Sequence, residues 1–250
     1  ALSGVTNPQT LNLQAPATGS ATFAAPVTVT ANPAGRSFSV DGTTYTSSQT
    51  FSWPIGSNHT IATTTPQAGA TGQQFVFLNW SDSGAISHSV TASAPSTYTA
   101  NFQTQYLLTT NAGTGGSISP PSGFYPAGNV TITATPNAGL TFAAFNGALT
   151  GAANPQTLNL QAPSTVNAVF AAPVTVNTIP AGLTFLVDSS IHYTAQTFNW
   201  IIGSSHSIST FTPQDGVVGQ RFVFLNWSDG GSISHFVTPT APATYTANFQ

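Results

Sequence analysis

Residues 75–82 read FVFLNWSD, and the same letters return at residues 222–229. This short run of aromatic and β-branched residues, with Phe77 and Trp80 in a Phe-x-x-aromatic pattern, indicates a β-strand. The match extends from here without a gap, at an offset of 147 residues, until residues 1–103 are aligned with residues 148–250, and 67 of the 103 pairs are identical. Long repeats are typical of arrays, and arrays usually serve extension or display.

The repeat divides the chain into modules of two kinds. We predict B modules at residues 27–103 and 174–250 and a complete A module at residues 104–173. Residues 1–26 match residues 148–173, so they form a partial A module that carries only its C-terminal strands. A and B themselves resemble distant versions of one design.

Both kinds of module consist of short alternating segments between clusters of Gly, Pro and Ser. Examples are residues 27–30, 59–63 and 98–102 of the first B module. This pattern predicts an all-β fold: a tandem array of small Ig-like, β-sandwich-type modules with no significant helix. The predicted core of the two B modules comprises Ile61, Phe75, Phe77, Trp80 and Phe102 with their copies Ile208, Phe222, Phe224, Trp227 and Phe249.

The two B modules differ most at residues 42–48 and 189–195, where none of the seven pairs match. A freely varying stretch between matching strands predicts a solvent-facing hairpin tip or strand edge.

Charge is almost absent from the chain. It has two arginines, five aspartates, and neither lysine nor glutamate. Two arginines cannot neutralise a phosphate backbone, so we expect no nucleic-acid partner. No apolar run reaches the ~18 residues of a membrane span, so we expect no membrane insertion. So few charges remove the repulsion that keeps proteins apart, which favours self-association, and they predict a stability that depends little on salt or pH.

Cysteine and methionine are also absent. Disulfides therefore cannot staple the modules, although the composition suits an extracellular context. The chain therefore cannot undergo thiol or thioether oxidation, which suits a durable surface polymer.

The most distinctive local motif is Asn79-Trp80-Ser81-Asp82, which recurs in the second B module. It admits a ligand or metal site with Asp82 as carboxylate and Trp80 as platform, but a core tryptophan followed by a polar turn explains it better. A hydrolase interpretation would use Ser81, His88 and Asp82, or their copies Ser228, His235 and Asp229. Nothing near them resembles a nucleophile elbow, so we expect no catalytic residues and no enzyme.

Histidines also recur in both B modules. His59 and His88, like their copies His206 and His235, are about 29 residues apart, without the short spacing of metal ligands. Asp41-Gly42 could belong to a calcium loop, but it lacks further acidic ligands and becomes Asp188-Ser189 in the second copy, so we interpret it as a turn. We therefore predict no metal and no cofactor.

Tryptophan offers one further possibility. If they were exposed, Trp53, Trp80, Trp200 and Trp227 could stack on sugars, which keeps a carbohydrate partner open. Aromatic residues on the strands of small modules are more often core residues.

The complete A module carries Phe142-Ala143-Ala144-Phe145-Asn146-Gly147, then Asn154-Pro155, then an alternating strand at residues 166–170. This order resembles the divergent internalin-B-type repeat of bacterial secreted and cell-surface proteins. The B module resembles the usual neighbour of that repeat in tandem arrays. The chain departs from the family at Phe145, where the family usually has Trp. The resemblance implies an extracellular β module with no known catalytic residues, and it says little about a partner.

These observations favour an extracellular or cell-surface structural repeat protein, a subunit or segment of a self-associating fibre, filament or surface stalk. The alternative is an adhesin-like or carbohydrate-binding region of a larger secreted protein. Buried tryptophans favour the first interpretation, whereas a row of exposed aromatic residues favours the second.

Self-association is predicted to involve the partial A module. Its alternating segments lie around Thr10, Leu11, Asn12 and Leu13, and around Ala21, Thr22 and Phe23. Alone, such strands expose apolar side chains and unpaired backbone groups. We therefore expect residues 1–26 to dock on a neighbouring subunit, by strand addition or by capping its end module, and to build a head-to-tail homopolymer. The competing explanation is that the chain is a window of a longer array, with the missing strands just upstream.

Overall fold

The computed structural model describes residues 21–250, and within them the chain is all-β with no helix. The predicted fold class is confirmed. Two compact units are present: unit 1 holds residues 21–70 and 74–105, and unit 2 holds residues 71–73 and 106–250. No helix within residues 21–250 has the length and apolar character needed to span a membrane.

Nine strands begin between residues 24 and 96. They are β1 (Ala24–Asn32), β2 (Phe38–Val40), β3 (Thr43–Tyr45), β4 (Gln49–Pro54), β5 (Asn58–Thr63), β6 (Gln67–Ala68), β7 (Gln73–Trp80), β8 (Ser87–Thr91) and β9 (Ser96–Asn111).

Unit 1 is a sandwich of two sheets. The first sheet has the order β4-β1-β9-β7-β6, in which β1 pairs antiparallel with β4 and parallel with β9. The second sheet has the order β3-β2-β5-β8 and is antiparallel throughout. Alternate side chains of both sheets meet in one buried cluster, for example Val29 from β1, Phe38 from β2, Ile61 from β5 and Trp80 from β7.

Fifteen further strands follow. They are β10 (Gly116–Ser119), β11 (Gly123–Pro126), β12 (Gly128–Pro136), β13 (Thr141–Gly147), β14 (Gln156–Leu160), β15 (Ser164–Ile179), β16 (Phe185–Val187), β17 (Ser190–His192), β18 (Gln196–Ile201), β19 (His206–Thr210), β20 (Gln214–Asp215), β21 (Arg221–Phe222), β22 (Phe224–Trp227), β23 (Ser234–Val237) and β24 (Ala243–Phe249).

The first half of unit 2 contains the predicted complete A module. Strands β10, β12 and β14 form a three-stranded antiparallel sheet. Opposite them, β15 pairs with β13 and, in parallel, with the end of β9. Both layers supply the buried core, which includes Leu108, Ile132, Phe145 and Phe170.

The second half of unit 2 repeats the sandwich of unit 1. One sheet contains β18, β15, β24 and β22, with β15 and β24 parallel. The other has the order β17-β16-β19-β23. Their inner faces bury Val176, Phe185, Ile208 and Trp227.

Strand β15 links the two halves of unit 2 without a break. Its first residues pair with β13, and its later residues pair with β18 and β24. At 16 residues it is about three times the ordinary strand length of 5–6 residues, because it serves two cores in succession. The predicted module border at residues 173 and 174 falls inside this strand, so the module borders stay predictions from the sequence.

The core prediction is confirmed at most positions. Ile61, Phe75, Trp80, Phe102, Ile208, Trp227 and Phe249 are buried, whereas Phe77, Phe222 and Phe224 are only partly buried. The three partly buried side chains pack against the cores of the two B modules from β7, β21 and β22. The variable residues 42–48 and 189–195 include β3 and β17, which are edge strands, as predicted.

Candidate functional site

Each B module holds two histidine–aspartate pairs. The nitrogen–oxygen distances are 2.7 Å for His59–Asp41, 2.8 Å for His88–Asp82, 2.7 Å for His206–Asp188 and 3.0 Å for His235–Asp229. The sequence had singled out these histidines as a possible metal pair. The structure joins each of them to a carboxylate instead.

A hairpin turn places the first carboxylate. Asp41 and Gly42 are the two residues between the paired ends of β2 and β3, and both have positive φ, as a two-residue hairpin of this kind requires. The predicted turn is therefore confirmed. The turn brings Asp41 over β5, where one carboxylate oxygen accepts the backbone N–H of Thr60 and the other contacts Nδ1 of His59.

Ser57 completes a Ser–His–Asp row that the sequence analysis missed. Its Oγ lies 2.9 Å from Nε2 of His59, and it also donates to the carbonyl of Pro54 at 2.7 Å. A hydroxyl has one proton, and here the proton goes to Pro54. Ser57 therefore accepts from His59, which is the opposite of the proton transfer that a serine nucleophile requires.

Both ring nitrogens of His59 thus face acceptors, Asp41 on one side and Ser57 on the other. The full set of contacts exists only when the imidazole carries both protons. Ser204, His206 and Asp188 repeat the arrangement in the second B module, with an Oγ–Nε2 distance of 2.8 Å. The row acts as a clamp that ties the β2–β3 turn to the start of β5.

The second pair is built on the loop after β7. Nδ1 of His88 donates to the carbonyl of Ala85 at 2.7 Å, and Nε2 donates to Asp82. The other oxygen of Asp82 accepts the N–H of Gly84. The His88 ring packs closely on Gly84, so a Cβ at this position would collide with the ring as long as the ring keeps its present place.

Ser81 does not join this second pair. Its hydroxyl donates to the carbonyl of Thr97 and accepts the N–H of Thr99, both on β9. Ser228 makes the same two bonds in the second copy. The three residues of the hydrolase interpretation therefore do not form one site. Ser81 bonds to β9, whereas His88 and Asp82 bond to each other in the loop after β7.

All four paired aspartates are acidified. The hydrogen bond from His59, followed by that from Thr60, lowers the pKa of Asp41. For Asp82, burial acts to raise the pKa, but the hydrogen bonds from His88 and Gly84 outweigh it and the net pKa is lowered. The pKa values of Asp188 and Asp229 are also lowered, by the same balance of burial and hydrogen bonds. The lowered pKa values favour some loss of stability in acid, whereas the near absence of charge predicts little dependence on pH.

Tryptophan lies in the core of both B modules. Trp53, Trp80, Trp200 and Trp227 are all buried. The indole N–H of Trp80 donates to the carbonyl of Ile86, which satisfies its one polar atom. Within residues 21–250 there is no group of three or more His, Cys, Asp or Glu side chains that could hold a metal ion.

The predicted self-association residues are only partly described. Thr10, Leu11, Asn12 and Leu13 lie outside the described residues. Ala21, Thr22 and Phe23 precede β1 and are exposed.

Phe23 is the large apolar residue among them, and 73% of it is exposed. Its repeat equivalent, Phe170, is 2% exposed in the core of the A module. The carbonyl of Phe23 accepts the N–H of Ile55, which is also exposed, whereas the equivalent Ile202 packs against the core of the A module. We call Phe23 and Ile55 the apolar end patch.

One segment of the chain is similar to a known family. The model of the divergent InlB B-repeat domain family matches residues 106–173. No curated protein matches the chain. Among solved structures, the Bacillus anthracis TIE protein aligns with 90% of this chain and 50% of its own, at 8% identity and a TM-score of 0.25. The chain thus spans about half the length of that protein.

Proposed function

We propose that the chain, whose residues 106–173 match the divergent InlB B-repeat family, is a repeat protein of the bacterial surface type and a subunit or segment of an extracellular fibre, filament or stalk. In this proposal the modules carry out their function by packing and by their surfaces, with no catalytic residue, cofactor or metal. The partner is a second copy of the chain.

The construction of unit 2 supports a mechanical role. Strand β15 runs through two successive cores, so the A and B halves share backbone hydrogen bonds along one continuous strand. The N–H of Ile202 donates to the carbonyl of Phe170 across the same boundary. A pull along the chain is therefore resisted by many parallel contacts rather than by a flexible linker.

The apolar end patch is the observation that carries the proposal. In unit 2 an A module covers the equivalents of Phe23 and Ile55, and in unit 1 the same side chains are exposed. Exposed apolar patches often mark sites of contact with another protein. Because an A module covers the equivalent side chains in unit 2, we expect another A module to cover the apolar end patch. We propose that a neighbouring copy supplies it, which makes the contact head-to-tail and open-ended.

The test uses the double variant F23S/I55S of the full chain. Negative-stain electron microscopy and sedimentation should show filaments for the unchanged protein and none for the variant. L78S is the matched control, because Leu78 is similarly exposed but lies on β7, away from the patch. Filaments from F23S/I55S, or from a chain without residues 1–26, would exclude the head-to-tail contact.

The adhesin-like or carbohydrate-binding alternative has less support. Its tryptophan platforms are absent, because all four tryptophans are buried, and the exposed aromatic residues Tyr193, Phe211 and Phe236 of the second B module are what still supports it. We therefore place the structural role first.

A further inference from the structure

The outer face of one sheet in the second B module is unusually apolar. In the sheet β17-β16-β19-β23, Leu186 lies opposite Ile191, and Phe236 lies opposite Ser207. Their neighbours along the strands, such as Phe185 and Ile208, point into the core. Because side chains alternate along a strand, Leu186, Ile191 and Phe236 point outward.

Two aromatic residues extend this face. Tyr193 follows β17 by one residue, and Phe211 follows β19 by one residue, so both continue the outward alternation. The exposed fractions are 56% for Ile191, 60% for Tyr193, 49% for Phe211 and 75% for Phe236, and Leu186 is half-buried. We call these five residues the B2 outer face.

The first B module provides an internal comparison. Its sheet β3-β2-β5-β8 has the same register, with Ser39 opposite Thr44 and Thr60 opposite Ser89. The five equivalents of the B2 outer face are all hydroxyl residues: Ser39, Thr44, Thr46, Thr64 and Ser89. The fold therefore does not require large apolar side chains at these positions. Their presence in one module indicates a contact that only this module makes.

We propose that the B2 outer face binds the same face of a second copy of the chain, in a symmetrical sheet-on-sheet contact. This inference rests on the proposed self-association but uses a surface distinct from the apolar end patch.

The charge of the face suits a second copy. None of its five residues is charged, nor are Ser207, Ser209 and Ser234, which lie between them on β19 and β23. Two such faces can therefore meet at the ~10 Å spacing of stacked sheets without burying an unpaired charge. Asp188, the first residue of the β16–β17 turn, is already paired with His206. The small serines leave room for the large side chains of the opposite copy.

The size of the face predicts a weak contact. Four strands about 4.8 Å apart and five residues at about 3.3 Å each give roughly 300–400 Å², about half of the ~800 Å² per partner that stable interfaces bury. Such a contact associates isolated chains only at high concentration. Within a filament it is repeated along the length, and its effect multiplies, so it would hold neighbouring filaments side by side.

Sedimentation equilibrium of the full chain tests the contact. The quadruple variant I191T/Y193T/F211T/F236S replaces four residues with those of the first B module, which the fold already accepts. The parent and the quadruple variant both contain F23S/I55S. The head-to-tail contact is therefore absent from both proteins and does not affect the comparison. Between about 10 µM and 1 mM, the parent should form dimers and the quadruple variant should associate at least tenfold more weakly. A parent that stays monomeric at about 1 mM, or equal association of the two proteins, would overturn the proposal.

A chemical cross-link tests the symmetry independently of stability. The chain has no cysteine, so S209C places a single thiol in the middle of the face. A flexible bismaleimide should link S209C chains into dimers, whereas A62C, at the equivalent position of the first B module, should stay largely unlinked. Equal linking of both variants, or none of S209C, would contradict a face-to-face contact. Retention of the parent on an insoluble polysaccharide, lost in the quadruple variant and without dimerisation, would instead assign the face to carbohydrate.

Discussion

The indole ring of Trp53 lies flat against the imidazole ring of His59, with 3.9 Å between ring centroids and 9° between planes. Trp200 and His206 repeat the stack at 4.1 Å and 8°. Stacked aromatic rings attract each other beyond the effect of the area that they bury. The stack therefore joins the clamp of the β2–β3 turn to the core tryptophan of β4.

Replacing His59 should destabilise unit 1. H59A removes the stack and the hydrogen bonds to Asp41 and Ser57, and we expect a loss of roughly 1.5–3 kcal/mol in unfolding free energy. Urea denaturation followed by tryptophan fluorescence measures it. D215N is the control, because Asp215 is exposed and its 3.6 Å contact with Arg221 is a surface pair, so its effect should stay within about 0.5 kcal/mol. A change as small as that of D215N would mean that the clamp adds nothing to stability.

Acid should weaken the fold. A carboxylate whose pKa is lower in the folded state stabilises the protein above its unfolded pKa of about 3.8, and that contribution is lost as the pH falls through the lower folded value. Thermal melts by circular dichroism should therefore show a falling Tm below about pH 4. The quadruple variant D41N/D82N/D188N/D229N should show a flatter profile, from a lower starting Tm, and D215N should keep the original fall. If the quadruple variant falls as steeply as the parent, other groups cause the acid loss.

The core tryptophan should be among the most costly residues to truncate. Trp80 is fully buried and contacts Phe77 and His88 through its ring. W80A should cost ~3–5 kcal/mol in unfolding free energy, because it leaves a large cavity. W80F keeps most of the volume and loses the hydrogen bond to Ile86, so it should cost less than W80A. Equal costs in chemical denaturation would show that the indole N–H, and not packing, carries the effect.

Two isoleucines at equivalent repeat positions should respond differently. Ile202 packs against the A-module core next to Phe170 and Gly115, whereas Ile55 is exposed. I202A should cost roughly 1–2 kcal/mol, less than the 2–5 kcal/mol of a fully buried residue, and I55A should be close to neutral.

Hydrogen exchange provides the measurement for this pair. Faster exchange of the amides of β10 and β18 in I202A would locate the loss at the boundary within unit 2. If I55A loses as much stability in dilute solution as I202A, the apolar end patch is not free in the monomer.

Much of the fold could be predicted because the sequence of the B module occurs twice in the chain. The shared letters of residues 75–82 and 222–229 indicated a strand and a core tryptophan, and both are present. The Asp41-Gly42 pair indicated a turn, since positive φ at two successive residues favours these types. The family of the A module could be predicted from local motifs for the same reason: short-range patterns specify strands and turns.

The histidine clamps could not be predicted in this way. Asp41 and His59 are 18 residues apart, and only the pairing of β2 with β5 brings them together. Ser57 is two residues from His59, but the direction of its hydrogen bond depends on the position of the Pro54 carbonyl. The hydrolase interpretation, which the sequence analysis rejected, combined Ser81 with His88, and these two residues bond to different elements.

The sequence by itself determined the alternation that makes the strands, the turn residues between them and the near absence of charge. It could not say which outward positions of those strands would share a face. In the first B module the sequence shows ordinary polar residues at Ser39, Thr44 and Ser89. In the second B module it shows apolar residues far apart along the chain, at Leu186, Ile191 and Phe236. Only the register of β17, β16, β19 and β23 places the latter on one surface, because hydrogen bonding between strands, unlike alternation within a strand, joins residues that are distant in the chain.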